Sequence, residues 1–161
     1  MTAKRSVADA VAPIVQAVPR EQRSLLIALA ERLAAERYRG WAGQADQAAH
    51  RSDLLACADR EEEIARRVES LDPRAKSVQK DLLAEHPDLD AVYTSLFAGL
   101  STLEQFEIQA DGERLGAATW RSLAGQESGD EARQVFLACA VLEEESAAVL
   151  ESIVAEPRGR S

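Results

Sequence analysis

Glu31–Gly43 reads ERLAAERYRGWAG, and Glu113–Gly125 reads ERLGAATWRSLAG, with seven of thirteen positions identical. Leu54–Leu71 reads LLACADREEEIARRVESL, and Phe136–Ile153 reads FLACAVLEEESAAVLESI, with ten of eighteen identical. Both matches are 82 residues apart. One offset held across two segments, and across the loop between them, marks a duplicated unit. Within each segment the apolar residues recur at spacings of three and four, the period of a helix buried on one face. The chain therefore reads as two related helical hairpins, which implies a pseudo-twofold axis.

Sparse helix breakers set the boundaries. Pro13 and Pro19 bracket a short N-terminal helical piece. A first long helix is expected from about Arg20 to Ala42, stopped at Gly43. Gln44–His50 is a turn, after which Ser52 or Asp53 can cap a second helix that ends near Leu71, before Asp72-Pro73. A short helix fits Ala75–Ala84, with a break at His86-Pro87. Asp88 can cap a third helical stretch that reaches Ala124-Gly125, interrupted at Gly99 or Gly112. A fourth helix spans about Asp130 to Glu156 and ends at Pro157. No strand-like alternation is present. The expected fold is all-α: hairpin one over 20–71, a long crossover over 72–102 and hairpin two over 103–156, all in one domain spanning 1–161. Four long helices with short, long and short connections make a four-helix bundle.

Composition agrees. The chain has 161 residues, 46% hydrophobic and only 4% aromatic, with the apolar share rich in Ala and Leu, which favour helix. It carries 28 Asp and Glu against 19 Lys and Arg, a net charge of −9, which argues against nucleic acid or an anionic membrane as partner. The longest clean apolar run, Leu25–Ala30, is far too short to span a bilayer. The first twenty residues lack the continuous apolar segment of a signal peptide. Two cysteines give neither a disulfide framework nor a metal knuckle, so a cytoplasmic protein is expected. If helices two and four are antiparallel, Cys57 and Cys139 lie about 12 Å apart at 1.5 Å rise per residue, too far for a disulfide. They read as small core residues.

The apolar faces carry an anomaly. On the first helix the stripe is Ala28, Glu31, Ala34/Ala35, Tyr38 and Trp41/Ala42. On the second it is Leu54, Cys57/Ala58, Glu61, Ile64/Ala65, Val68 and Leu71. The third has Phe106, Ala110, Glu113, Gly116/Ala117, Trp120 and Leu123, and the fourth Phe136, Cys139/Ala140, Glu143, Ser146/Ala147, Leu150 and Ile153. Each stripe holds one glutamate at its centre. A lone buried carboxylate costs several kcal/mol, and four at one level repel one another. They can take up protons, pair with Arg32, Arg37 or Arg114 nearby in sequence, or bind cations. Two divalent ions would neutralise four carboxylates, and oxygen ligands suit iron or manganese.

Neighbouring positions refine the pattern. Glu62, Glu63, Glu144 and Glu145 rotate off the stripe toward solvent. Tyr38 and Trp120 are repeat-equivalent, either core aromatics or groups beside the glutamates. Ser146 can hold a water or bond its own helix. Gly116 is expected to permit close helix packing, and Gly112 to mark a local bulge.

Glu31-x-x-Ala34-x-x-x-Tyr38, Ala58-Asp59-Arg60-Glu61-Glu62-Glu63-Ile64-Ala65 and Val135-Phe136 with Ala140-Val141-Leu142-Glu143-Glu144-Glu145-Ser146 resemble the ferritin-like superfamily, and within it the rubrerythrin-like di-iron carboxylate proteins. The resemblance covers roughly Glu21 to Glu156. It implies a ferritin-like bundle with iron or manganese held by Glu31, Glu61, Glu113 and Glu143, the second and fourth of these bridging. It also implies a di-iron or di-manganese oxidoreductase or peroxidase acting with dioxygen or peroxide as small-molecule oxidant, and a homodimer. The family's ligand histidines would fall at Ile64 and Ser146. His50 and His86 lie in connections and do not substitute. Two functions follow: an all-carboxylate dinuclear metal site, or a ferritin-like bundle that has lost its metal and serves as a structural or partner-binding module.

Overall fold

The computed structural model describes residues 6–157, so the expected domain of 1–161 extends at both ends beyond the described residues. Among these, every regular element is helical: α1 (Val7–Ala17), α2 (Arg23–Ala42), α3 (Arg51–Glu69), α4 (Ala75–Glu85), α5 (Leu89–Phe97), α6 (Thr102–Gln126) and α7 (Asp130–Ala155), with short 3-10 turns at Arg20–Gln22 and Ala45–His50. None of them is long and apolar enough to cross a membrane.

The boundaries follow local chemistry with three corrections. Ser6 caps α1, so the helix starts well before Pro13 and runs through it rather than being bounded by it. Proline costs a helix one hydrogen bond and a ring clash, and α1 has no buried residue to compete for an alternative path. Ser52 and Asp53 do not cap α3; they lie in its first turn, after His50. The 3-10 turn already delivers the chain in helical register, and Asp53 favours the positive end of the helix dipole. Gly112 marks no bulge, because α6 runs continuously from Thr102. The interruption falls at Gly99, whose φ of 75° is open to glycine at little cost. Ser101 and Glu104 then start α6 with a reciprocal capping box.

Packing is pairwise. α2 lies on α3, α6 on α7, and α3 against α7. Ion pairs give the direction of each hairpin. Arg39 meets Glu62 at 3.2 Å and Arg32 meets Glu69 at 2.5 Å, in opposite order along α2 and α3, so the two helices are antiparallel. The same two pairs recur 82 residues on, as Arg121–Glu144 at 2.7 Å and Arg114–Glu151 at 2.8 Å. α2 also faces α6: Trp41 Nε1 donates to Gln105 Oε1 at 2.8 Å, and the Trp41 ring meets Phe106 edge-on at 5.1 Å. α4 is tied to α2 by Gln79, whose Nε2 donates to the Leu25 carbonyl at 3.2 Å. α1 packs on α5 and α6.

The apolar stripes are buried as the periodicity requires, except that Leu71, Gly116 and Leu123 are half-buried. They form two clusters. One holds Ala28, Ile64, Trp120 and Cys139. The other holds Tyr38, Cys57, Phe106 and Leu150. On each of the four long helices the central glutamate falls between the buried members of one cluster and those of the other. A carboxylate layer therefore divides the core. Cys57 and Cys139 are free thiols in different clusters.

Candidate metal centre

All four stripe glutamates are interior: Glu31 is 8% exposed, Glu61 0%, Glu113 2% and Glu143 1%. Their carboxyl groups touch in a chain. Glu31 interacts electrostatically with Glu61 and with Glu143, and Glu143 with Glu113. Glu31, Glu61 and Glu143 each bring an oxygen within 4.8 Å of the other two. Glu113 stands outside that triad. Its Oε1 accepts from Tyr38 Oη at 2.6 Å and from Gln109 Nε2 at 2.7 Å.

Burial governs the electrostatics. It pushes the Glu31 carboxyl up to about 7, opposed by the interaction with Glu61 and reinforced by the charge of Glu113. Burial raises Glu61 well above the usual carboxylate range, and the charges of Glu113 and Glu31 add to it. Glu143 is raised well above that range too, by burial first and then by the charge of Glu31. Without a cation the layer thus holds protons.

Among the described residues no arginine neutralises it by direct pairing. Arg32 and Arg114 were expected to be available to the buried glutamates, but they are taken up by Glu69 and Glu151 between paired helices. Their guanidinium groups keep water there, whereas a core position would strip it away. Arg37 comes nearest. Its Nε donates to Gln109 Oε1 at 3.2 Å, which passes donor polarity on to Glu113, and its guanidinium lies 4.5 Å over the Phe97 ring. The neighbouring glutamates of the two EEE runs behave as solvated groups in ion pairs: Glu62 and Glu144 join the hairpin pairs above, Glu63 meets Arg66 and Arg67, and Glu145 meets Arg60.

The remaining polar partners break the repeat. Ser146 Oγ donates to Glu61 Oε1 at 3.1 Å and does not bond its own backbone. Its repeat equivalent, Ile64, is fully buried and can donate nothing to Glu143. Trp120 Nε1 does so instead, at 2.9 Å. Tyr38, the repeat partner of Trp120, reaches across to Glu113 of the other hairpin. Both aromatics are core residues and glutamate donors at once.

Two further features bear on what the layer can hold. Glu61 Oε2 is buried and has no hydrogen-bond partner. Gly116 provides room for Glu143: a Cβ there would lie 2.5 Å from Oε1 and 2.7 Å from Cδ. The carboxylate occupies space that any other residue would fill. The close packing expected of Gly116 is therefore packing against a carboxylate. Gly112 instead admits Val7 of α1, whose Cγ2 would sit 3.3 Å from an added Cβ. An all-oxygen donor set with an orphaned buried carboxylate oxygen fits a hard divalent cation. His50 lies away from the layer, 3.2 Å from Glu156, on the exposed side of the molecule.

Sequence reasoning missed Gln109 and the duplicated hairpin ion pairs. The pairs were legible, since Arg32, Arg39, Glu62 and Glu69 are all retained at the 82-residue offset. Gln109 carried no signal, because its repeat equivalent is Ile27. Comparison of the chain with family models, with curated proteins and with solved structures gave no match.

Proposed function

We propose that this chain is a ferritin-like protein, a four-helix bundle of two repeated hairpins related by a pseudo-twofold axis, that holds iron or manganese among its buried glutamates. The observation that carries the reading is the unpartnered, fully buried Glu61 Oε2 within the triad of Glu31, Glu61 and Glu143. The duplicated ion pairs support the paired hairpins. Glu31, Glu61 and Glu143 would hold a first ion, and Glu113, beside Glu143, is the fourth carboxylate that a second ion needs. Once bound, such ions supply one-electron chemistry toward dioxygen or peroxide. The chain's own residues supply the rest: Trp120 orients Glu143, Ser146 orients Glu61, Tyr38 and Gln109 hold Glu113, and the two apolar clusters exclude water from either side.

A second reading is favoured by Ile64 and Ser146. Both occupy buried places where imidazole is expected by resemblance, and Glu113 already has two donors. In that reading the bundle is a metal-free structural or partner-binding module in which Glu31, Glu61 and Glu143 hold protons.

Element analysis of protein purified without chelator, followed by Fe(II) and Mn(II) titration, separates the two. Stoichiometric metal lost in both Glu61→Ala and Glu143→Ala establishes the metal reading. No metal as purified and no uptake on titration overturns it.

A further inference from the structure

The glutamate layer is closed on the Glu61 side and open on another. A cavity of about 270 Å³ lies between α1, α2, α5 and α6, and Glu31, Glu113 and Glu143 line its inner end. Glu61 is not among its lining residues. Val7, Val11 and Val15, at four-residue spacing on α1, line the cavity together with Ile27 and Phe97. Ala30 and Ala34 leave the space between them, where a larger side chain on α2 would fill it.

We infer that this cavity binds a small, uncharged, largely hydrocarbon molecule, about the size of a substituted benzene, with its inner end against Glu31, Glu113 and Glu143. The inference deepens the reading of the glutamate layer and rests on it for what the ligand meets at its inner end, while the cavity stands by itself. Size sets the first limit. A dry apolar cavity of about 150 Å³ accommodates benzene, so this one has room for a ring with a short substituent. Charge sets the second. An anionic head would face three carboxylates. The one cation on the wall among the described residues, Arg37, is engaged through Nε with Gln109 and through its face with Phe97. A cationic head would compete with the metal for the same oxygens. A neutral molecule burying apolar surface against valines and Phe97 meets neither conflict. Entry is assigned to α1, which contributes no buried residue and packs on the two clusters only through the half-buried Val7, Ala10, Ile14 and Val15.

The test uses the full chain and ¹⁹F NMR with three probes that share one fluorophenyl ring: fluorobenzene, fluorobenzoate and fluorobenzylamine. Fluorobenzene is expected to bind saturably, with Kd millimolar or tighter, and at least about tenfold more tightly than either charged probe. Val11→Trp and Ala30→Phe each fill the cavity from a different helix and are expected to weaken fluorobenzene at least about tenfold while leaving the helical circular dichroism intact. Should one variant fail to fold, the other decides. Absence of saturable fluorobenzene binding overturns the inference, as does binding unchanged in a folded filling variant or tighter binding of a charged probe. Mn(II) uptake measured on the same samples keeps the two proposals apart. Probe binding without metal uptake sinks the metal reading alone, and metal uptake without probe binding sinks this one alone.

Discussion

Replacing Gly116 by alanine puts one methyl group where the Glu143 carboxylate lies. The added Cβ would sit 2.5 Å from Oε1, 2.7 Å from Cδ and 3.0 Å from Oε2. Non-bonded carbon contacts settle at about 3.5–4.0 Å, so the carboxylate has to retreat by about 1 Å. Trp120 Nε1 donates to the same Oε1 at 2.9 Å. A retreat of that size stretches the bond beyond useful length and leaves a buried donor and acceptor unpaired, at about 1–3 kcal/mol. Overpacking adds about 1–3 kcal/mol, and the better helix propensity of alanine returns up to about 1 kcal/mol. The net expectation for chelated protein is a loss of about 1–6 kcal/mol, which lowers Tm by roughly 2–4 °C per kcal/mol at this chain length. Misplacing a ligand carboxylate is also expected to weaken Mn(II) at least about tenfold, the lower end of what lost supporting contacts cost a metal site. Gly125→Ala is the matched control, since a Cβ there meets nothing within 4 Å. It is expected to be neutral or slightly stabilising with unchanged Mn(II) affinity. Thermal unfolding by circular dichroism in chelator, Trp fluorescence and Mn(II) titration read the three consequences. If Gly116→Ala matches Gly125→Ala in all three, Glu143 does not occupy the space that Gly116 leaves.

Three further outcomes are expected. In chelator, stability falls as pH rises: the folded Glu31 carboxyl titrates near about 7 against 4.5 when exposed, so its contribution is complete below 4.5 and is lost through 7. From Glu31 alone the loss is on the order of 3 kcal/mol, and a urea midpoint that is flat or rising between pH 5 and 8 refutes the proton-holding layer. Tyr38→Phe removes the hydroxyl that donates to Glu113 at 2.6 Å inside the core, which is expected to cost about 1–3 kcal/mol in urea unfolding; an unchanged midpoint shows that Gln109 alone satisfies Glu113. Burial pushes the Cys57 thiol up to about 11 and the Cys139 thiol up to about 12. Native protein at pH 8 is therefore expected to react slowly with a thiol reagent and rapidly in urea; fast native reaction of both thiols contradicts their place in the two clusters.

Helix positions and buried faces were legible because both are local. A side chain three or four residues along a helix shares its face whatever lies opposite, so the stripe through Leu54, Cys57, Glu61, Ile64 and Val68 names its own buried set. The break at Gly99 was one of two candidates that sequence offered. Gly112, the other, stays helical because its missing Cβ serves α1, an element whose position no local pattern encodes. Pro13 misled for a related reason. Proline disfavours a helix interior, yet the surrounding residues Val7–Ala17 propagate the helix past it. Arg32 and Arg114 looked like core partners from their proximity in sequence to Glu31 and Glu113. One residue along a helix is a turn of about 100°, and that rotation takes them to the seam between paired helices.

The sequence alone placed one glutamate at the middle of each of the four long apolar stripes. Composition and breaker positions were enough for the all-helical class. Which oxygen each glutamate offers, and to whom, was decided only in three dimensions. The duplicated sequence keeps its Arg–Glu pairs at the half-exposed seams, where water tolerates small misfits. In the dry interior every donor has to be satisfied by whatever stands across from it. Trp120 therefore turns to Glu143 within its own hairpin, Tyr38 crosses to Glu113, Ser146 meets Glu61, and one oxygen of Glu61 is left over. Spacing along a chain specifies a face; the partner on that face depends on the packing of helices far apart in sequence.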